Sequence, residues 1–432
     1  MYRVWNHVPT YLGLLLLGTA VALVWAQVGT ASYDRVIAYP LLFNGLVGQD
    51  ATVWLQTSGA AFGVIELGDV TRVLTPRSLV NDALMALFFF IAGKEVWEAS
   101  VLDHGALRGG GAHLPLVMTL GGMAVPALVF LGLSWLLLGP IGAAAVAPGW
   151  VVPISTDLAL SFVVARAIFG AGHPALRLLL LIALLDDAVA MAVLAAVSDA
   201  PEARPEWLLV SVAAAGIVWL TCNRLPRWLD RGNDLQPAAS ALRRRLGLWP
   251  YALAGAVSWF AFARAGVAPA LGLLPIIPAL PHADRAFGIY ASAEKYLHDP
   301  LNEAAHRLMR PAQAALLAFG LVNMGVVLSD ATALSGLVLA GFVLGKPLGL
   351  GLACLLALGV LRMRLPGGID RRTLAVLCVV AGCGITLPVA LSDAVFAAPT
   401  LRDAAVLGAL GSLVTAPLAW VLARALGLAP QR

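Results

Sequence analysis

Apolar stretches long enough to cross a lipid bilayer recur along almost the whole chain, and this repetition constrains the fold more than any other feature. A transmembrane helix needs about 20 mostly apolar residues. Only 12% of the 432 residues are charged, and the mean hydropathy is +0.87. The sequence therefore predicts an all-α membrane protein, with residues 1–432 as one polytopic domain. About twelve transmembrane helices are predicted, at residues 10–28, 78–98, 112–138, 150–168, 178–197, 207–222, 249–264, 267–281, 311–328, 332–361, 373–396 and 404–424.

The placement of basic residues predicts how these helices are oriented. If both termini are cytoplasmic, 19 of the 28 Lys and Arg residues fall in inner segments and five in outer segments, as the positive-inside rule requires. The same orientation makes 223–248 a basic inner loop, 282–310 a second inner loop and 29–77 an outer loop. Alternating apolar residues at 53–67 favour a small β-hairpin in the outer loop.

Charge and cysteine patterns argue against several other classes of protein. The net charge of +4 is scattered and forms no basic stripe interleaved with aromatic residues, so no nucleic-acid partner is expected. The four cysteines show no C-x-x-C spacing, which indicates neither a disulfide framework nor a zinc site. No cofactor is predicted, and membrane lipid is the expected surrounding.

Paired aspartates inside one apolar window are the strongest functional signal, because a charged group near the bilayer centre costs several kcal/mol. Asp186 and Asp187 lie midway along "LIALLDDAVAMAV". Neighbouring residues of a helix point about 100° apart. One carboxylate can therefore face a water-filled cavity while the other meets a different partner.

A second polar pair follows a proline inside another window. Thr156 and Asp157 follow Pro153 by three and four residues in "WVVPISTDLALSF", and proline weakens the helical hydrogen-bond ladder. An interrupted helix exposes backbone groups, which a membrane tolerates only where they line a cavity or bind an ion. The alternative is a polar kink in which Asp157 caps the second half of the helix. We favour a functional role.

The third signal is a lysine in an apolar window. The chain has only three lysines against 25 arginines, and one of them is Lys346 in "VLAGFVLGKPLGLGLA". Lysine, unlike arginine, releases its proton readily when it is desolvated. A proton-coupled or electrostatic role is therefore predicted for Lys346, against the alternatives of a snorkelling residue or a simple counter-ion.

Two weaker patterns complete the set of candidate residues. Gly382, Gly384 and Thr386 lie in "VVAGCGITLPVALSD", which is typical of a second interrupted helix. Windows 150–168 and 373–396 are then the pair of broken helices that, in many transporters, cross each other near the middle of the membrane.

Three acidic residues lie near the two ends of one predicted span. Asp82, Glu95 and Glu98 occur in "NDALMALFFFIAGKEVWEAS". Both ends of a span reach water, so a solvated position is the simplest interpretation. The sharper hypothesis is that these acids line an entrance for the ion and take part in a response to pH.

This constellation suits a small cation that competes with protons. A carboxylate binds Na⁺ or Li⁺ only when it is ionised, so protons at low pH displace the metal. Suppose that the binding site opens to each side of the membrane in turn and cannot change sides while it is empty. The competition then couples the movement of a cation in one direction to the movement of protons in the other. We therefore predict a secondary transporter with Na⁺ or Li⁺ bound at Asp187 and Asp186, and with no enzymatic activity. The paired-aspartate motifs of intramembrane proteases and prenyl transferases are absent from the spans.

The residues also resemble the NhaA-type sodium/proton antiporters of bacterial inner membranes. The matching motifs extend across most of the chain in the order of that family, from the second predicted helix to the eleventh. They are "NDALMALFFFIAGKEV" (81–96), "GGMAVPA" (121–127), "STDLALS" (155–161), "LDDAVAM" (185–191), "AGVAPALGL" (265–273), "VNMGV" (322–326), "GKPLGL" (345–350) and "GCGITL" (382–387).

The resemblance implies a twelve-helix fold of inverted repeats, with two broken helices that cross at mid-membrane. By the family's pattern, Asp187 binds the cation, and Asp186 alternates between proton carrier and partner of Lys346. Thr156 and Asp157 complete the site and offset the positive helix ends, while Lys346 offsets the negative ones. The resemblance also implies electrogenic exchange, sodium and pH homeostasis, and a homodimer joined partly through an outer β-hairpin.

The chain departs from the family at several positions. Val189 stands where the family usually has Gly, Ala268 where it commonly has His, and Lys94 is an additional cation beside Glu95. The family's basic and acidic positions after "EV" read Trp97, Glu98 and Ala99 here. These positions and Lys94 belong to the family's pH-sensing entrance, so the residues support transport better than activation at alkaline pH. The alternative function is a sodium-coupled symporter of an organic anion on a related fold, which would not need the amine of Lys346.

Overall fold

The structure is a computed structural model that describes residues 3–58, 62, 70–101, 113–170, 172–197, 204–230, 245–281 and 300–428. Within these ranges, six helices are long and apolar enough to cross a membrane. They are Leu12–Ile37, His113–Ile154, Pro174–Val197, Trp207–Arg224, Ala333–Gly359 and Pro399–Ala425. Five of them overlap one predicted window each, whereas His113–Ile154 covers the window 112–138 and reaches into the window 150–168. The other windows contain shorter helical segments, so the count of twelve spans stays a prediction.

The described α-helices of at least seven residues are numbered in chain order. They are α1 (Arg3–Ile37), α2 (Ala51–Thr57), α3 (Met85–Val101), α4 (His113–Val146), α5 (Leu158–Phe169), α6 (Pro174–Val197), α7 (Trp207–Val218), α8 (Trp249–Ala265), α9 (Pro300–Asn323), α10 (Ala333–Ala340), α11 (Lys346–Gly359), α12 (Arg371–Val380), α13 (Thr386–Val395), α14 (Pro399–Gly411) and α15 (Thr415–Ala425). Three π-helical turns adjoin them, at Leu79–Leu84, Trp219–Arg224 and Gly341–Gly345. Longer 3₁₀ segments are Ala147–Ile154 and Leu274–Ala279.

The chain divides into two compact units. Unit 1 contains Met1–Arg3, Leu14–Gly105 and Ser198–Gly325. Unit 2 contains Val4–Gly13, Ala106–Val197 and Val326–Arg432. Each unit is therefore assembled from segments that are far apart in the sequence.

Unit 1 contains a small three-stranded sheet in the predicted outer loop. Strands β1 (Leu42–Asn44), β2 (Gln49–Asp50) and β3 (Arg72–Leu74) pair antiparallel in the order β1-β3-β2. The prediction of a hairpin within 53–67 is wrong for its described beginning, because residues 51–57 form α2. The carboxylate of Asp50 caps this helix by accepting hydrogen bonds from the backbone N–H groups of Thr52 and Val53. Residues 59–61 and 63–67 lie outside the described ranges.

Two helices are longer than the sequence predicts. Helix α1 extends through the beginning of the predicted outer loop to Ile37, with a break in helical geometry at Gly29. Buried Tyr33 accounts for this extension, because its hydroxyl donates to Leu321 O (2.9 Å) and accepts from Gly325 N (3.1 Å). Helix α9 begins at Pro300, so the described end of the predicted 282–310 loop is helical. Residues 282–299, and 231–244 of the predicted 223–248 loop, lie outside the described ranges.

Unit 2 brings α4 and α11 into close contact through small residues. A Cβ atom on Gly349 would overlap Gly121 O, and one on Gly345 would lie 2.5 Å from the Cα atom of Pro126. Small residues allow helix backbones in membranes to approach closely. The contact fixes the first turns of α11, and Lys346 is the residue at which α11 begins.

Candidate ion-binding site

Two interrupted helices of unit 2 meet at their interruptions. Residues 155–157 separate the 3₁₀ segment Ala147–Ile154 from α5, and residues 381–385 separate α12 from α13. The N–H of Asp157 donates to Cys383 O (2.7 Å), and the hydroxyl of Thr156 lies 2.9 Å from Ala381 O. Backbone groups freed by one interruption are thus satisfied by the other, which explains how both persist in an apolar surrounding.

Asp157 lies at the N-termini of two helices. Its carboxylate caps α5 by accepting from Leu160 N (3.0 Å). It also accepts from Thr386 at the start of α13, through the hydroxyl at 2.8 Å and the backbone N–H at 3.4 Å. Helix N-termini carry a partial positive charge. One buried carboxylate therefore compensates two helix ends, and the structure places Thr386 in direct contact with Asp157.

Lys346 and Asp186 form a fully buried ion pair. Their Nζ and Oδ2 atoms are 2.7 Å apart, and both side chains are 0% exposed. The ammonium group also donates to the carbonyl of Ile154, the last residue of the first 3₁₀ segment. The hydroxyl of Thr156 lies 2.7 Å from the same Asp186 Oδ2 atom. Lys346 therefore contacts both the carboxylate of Asp186 and the C-terminal carbonyl of the 3₁₀ segment Ala147–Ile154.

Asp187 is placed differently from its neighbour, as the helical geometry of α6 requires. It is half-buried and has no salt bridge within the described ranges. Its surroundings include the charges of Asp157, Asp186 and Lys346 and the hydroxyl of Ser155. A carboxylate close to two other acids, in a salt bridge with neither Lys346 nor another described cation, is a suitable site for a cation or a proton from solution.

Two buried oxygen atoms near this cluster have no hydrogen-bond partner in the part of the chain that the structure describes. They are Asp186 Oδ1 and Ser155 Oγ. Buried polar groups are normally hydrogen-bonded, so each marks a place where something else can bind. Ser155 was not among the residues predicted from the sequence, because a single serine in an apolar window gives no signal of its own.

Gly384 allows the two interruptions to approach. A Cβ atom there would lie 2.8 Å from Ser155 O and 2.5 Å from a ring carbon of Phe342. A Cβ atom on Gly382 would likewise lie 2.8 Å from Phe342 O. The predicted pair of glycines therefore provides space for a backbone contact.

Gly384→Ala is expected to destabilise the protein by about 1–3 kcal/mol, because overpacking forces the backbone to shift. The thermal midpoint of the purified protein in detergent would report this effect. Gly351→Ala is the matched control, since a Cβ atom on this helical glycine of α11 meets nothing within 4 Å. Equal midpoints for the two variants would contradict the prediction.

The acids predicted to line an entrance, Asp82, Glu95 and Glu98, belong to unit 1. They are not part of the cluster of Asp157, Asp186, Asp187 and Lys346 in unit 2. Glu95 and Glu98 lie on α3 and pair with buried Lys94, whose Nζ atom is 3.5 Å and 2.9 Å from their carboxylates. The i,i+4 spacing of Lys94 and Glu98 is typical of a helical ion pair. Glu98 is only 14% exposed, so a freely solvated position is wrong for it. Asp82 lies in the π-helical turn before α3, and its carbonyl accepts from Trp259 Nε1 (2.7 Å).

Apolar helices, two interruptions in contact and buried acids beside one lysine define the class of ion-coupled secondary transporters. Within this class, the chain matches the family model described as "Na+/H+ antiporter 1" over residues 7–423. The chain belongs to this family. The prediction of a multi-pass membrane transporter that is not an enzyme is thereby confirmed.

Individual relatives cover almost the whole chain. The protein from Jannaschia sp. (strain CCS1) named "Na(+)/H(+) antiporter NhaA" is 44% identical over 424 residues, which cover 98% of each chain. Those of the same name from Desulfitobacterium hafniense (strain DSM 10664 / DCB-2) and Geobacter sulfurreducens (strain ATCC 51573 / DSM 12127 / PCA) are 34% and 32% identical. They align with 96% of this chain and with 94% and 95% of their own lengths. The resemblance inferred from motifs is therefore confirmed.

Proposed function

We propose that this protein exchanges Na⁺ or Li⁺ for protons across a membrane. The observation that carries the proposal is the buried ion pair of Lys346 and Asp186 beside Asp187, in a chain of this family. The relatives described above bear the name of Na⁺/H⁺ antiporters. The rival function, a sodium-coupled symporter of an organic anion, is not favoured by these relatives.

The exchange follows from which groups can hold a proton or a cation. Ionised Asp187 binds the cation, and a proton at the same carboxylate displaces it. Asp186 is held by Lys346 when the site holds no cation. When a cation attracts Asp186, the ammonium group of Lys346 loses its partner in a desolvated place, which favours release of a proton. More protons than cations then move in each cycle, so the exchange is electrogenic.

Thr156, Asp157 and Thr386 hold this site together. Asp157 keeps the starts of α5 and α13 together, and Thr156 contacts the acid of the ion pair. A hydroxyl has one proton, so Thr156 donates either to Asp186 or to Ala381 O. When the charge of Asp186 changes, the Thr156 hydroxyl can change its acceptor without a large movement of the backbone. Gly382 and Gly384 permit the close approach that these contacts need.

We further propose that the chain has twelve spans in inverted repeats, with both termini on the cytoplasmic side of a bacterial inner membrane. The distribution of basic residues supports this orientation, and the contact of two interruptions in unit 2 supports crossed helices. A homodimer that uses the outer sheet, surrounded by membrane lipid, is proposed from the family's pattern. Asp82, Glu95 and Glu98 are proposed to act at an entrance and in a response to pH, in support of sodium and pH homeostasis.

Proteoliposomes with an imposed Na⁺ gradient test the central proposal. A pH-sensitive dye inside the vesicles should report proton movement that depends on Na⁺ or Li⁺ and is absent in protein-free vesicles. Setting the membrane potential with K⁺ and valinomycin should change the rate, because the exchange is electrogenic. Absence of cation-dependent proton movement between pH 6 and about pH 9 would overturn the proposed function.

A further inference from the structure

We propose that the hydroxyl of Ser155 is a further ligand of the transported cation and helps to determine which cation is selected. This inference rests on the proposed function and extends it to a residue outside the acidic cluster. It starts from an oxygen that is fully buried, lies beside the carboxylate of Asp187 and makes no hydrogen bond of normal geometry in the described part of the chain.

The backbone directs Ser155 and Thr156 to different partners. Ser155 has an extended conformation, with φ −94° and ψ 151°, at the interruption before α5. Successive side chains of an extended segment point to opposite sides. Thr156 contacts Asp186 Oδ2, whereas the Ser155 hydroxyl lies beside the carboxylate of Asp187. Ser155 is therefore on the Asp187 side, where the cation is proposed to bind.

The Ser155 hydroxyl is not needed to hold the fold. It has no hydrogen-bond partner of normal geometry within the described ranges, and the contact of this residue with Gly384 is made by its backbone carbonyl. Burial of an unsatisfied hydroxyl costs free energy. A bound cation would remove that cost, because a serine oxygen has two lone pairs to offer.

The number of ligands also favours this assignment. Hard cations are surrounded by several oxygen atoms, in part from carbonyls and hydroxyls. No group of three or more His, Cys, Asp or Glu side chains suited to a metal ion exists among the described residues. Carboxylates alone therefore do not complete the site. Asp186 Oδ1 and Ser155 Oγ are buried side-chain oxygens of the described residues that remain available near Asp187.

Ser155→Ala is expected to raise the apparent KM for Na⁺ about tenfold, equivalent to about 1.4 kcal/mol, with a smaller effect on the maximal rate. The KM for Li⁺ should change by a different factor, because the two cations differ in size and prefer different ligand numbers. Ser155→Thr restores a hydroxyl and should recover most of the lost affinity. Ser155→Cys keeps the shape of serine but offers a soft sulfur, and should resemble Ser155→Ala.

Ser161→Ala provides the matched control. Ser161 is buried in α5, but its hydroxyl donates to Leu158 O (3.3 Å) and is not near Asp187 in any described contact. This variant should keep the wild-type KM for both cations. Each protein is assayed in proteoliposomes over a range of Na⁺ and Li⁺ concentrations, and its thermal midpoint is measured to separate affinity from folding.

The outcomes distinguish this inference from the proposed function. If the wild-type protein shows no cation-dependent proton movement, the proposed function fails, and the inference with it. If the wild-type protein is active and Ser155→Ala and Ser155→Cys keep its KM values for Na⁺ and Li⁺, the role of Ser155 is overturned while the exchange stands. A raised KM that Ser155→Thr does not recover also contradicts the inference, because a ligand hydroxyl should restore binding.

Discussion

Asp187→Asn is expected to reduce Na⁺-dependent proton movement at least about 100-fold. Asparagine has nearly the same shape as aspartate, but its amide is neutral and cannot take up or release a proton at ordinary pH. The variant therefore loses both the charge that attracts the cation and the proton that exchanges for it. Loss of a charge-assisted contact alone accounts for about 1.5–3 kcal/mol, and loss of the exchangeable proton removes the coupling.

Thermal midpoints measured with and without Na⁺ provide a second readout of the Asp187 variant. A cation that binds only the folded protein raises the midpoint, so the wild-type protein should gain stability from Na⁺ and Asp187→Asn should not. Asp330→Asn, at an exposed acid in a turn of unit 2, is the matched control for loss of one carboxylate. Exchange at the wild-type rate in Asp187→Asn would show that Asp187 is not the cation-binding acid.

Much of the site is predictable because its residues are unusual for their place in the chain. Paired aspartates and a lysine are costly in an apolar helix, and Pro153 indicates an interrupted ladder. These signals are local. They do not indicate which aspartate pairs with Lys346, because the pair joins residues 160 positions apart. Only the resemblance to a family indicated Asp186, and the structure places Asp186 and Lys346 in contact.

The features that sequence reasoning missed depend on contacts between distant segments. Helix α1 extends beyond its predicted end because the hydroxyl of Tyr33 forms hydrogen bonds at the end of α9. A contact between segments so far apart in the sequence produces no local sequence pattern. The alternation at 53–67 resembles a strand, yet the capping carboxylate of Asp50 begins a helix at residue 51. Ser155 is significant only because its neighbours leave its hydroxyl unpaired, and that follows from the packing of unit 2.

Lys346→Ala is expected to destabilise the protein by about 3–5 kcal/mol, which is the effect of removing one partner of a buried ion pair. The carboxylate of Asp186 would stay buried without its cation, and Ile154 O would lose its donor. The thermal midpoint in detergent should fall by about 3–6 °C, since 1 kcal/mol corresponds to only about 1 °C for a chain of this length. The double variant Lys346→Ala with Asp186→Asn should recover part of this loss, because it removes the unpaired charge as well.

Lys346→Arg separates the charge of this residue from its ability to release a proton. Arginine keeps the positive charge facing Asp186 but stays protonated throughout the accessible pH range. If loss of a proton from Lys346 is part of the exchange, the variant should fold, transport more slowly and show an altered pH profile with weaker dependence on membrane potential. An unchanged pH profile with full electrogenicity would mean that Lys346 acts only as a fixed charge. Intact Na⁺ coupling in Lys346→Ala would instead favour the symporter, which does not need the amine.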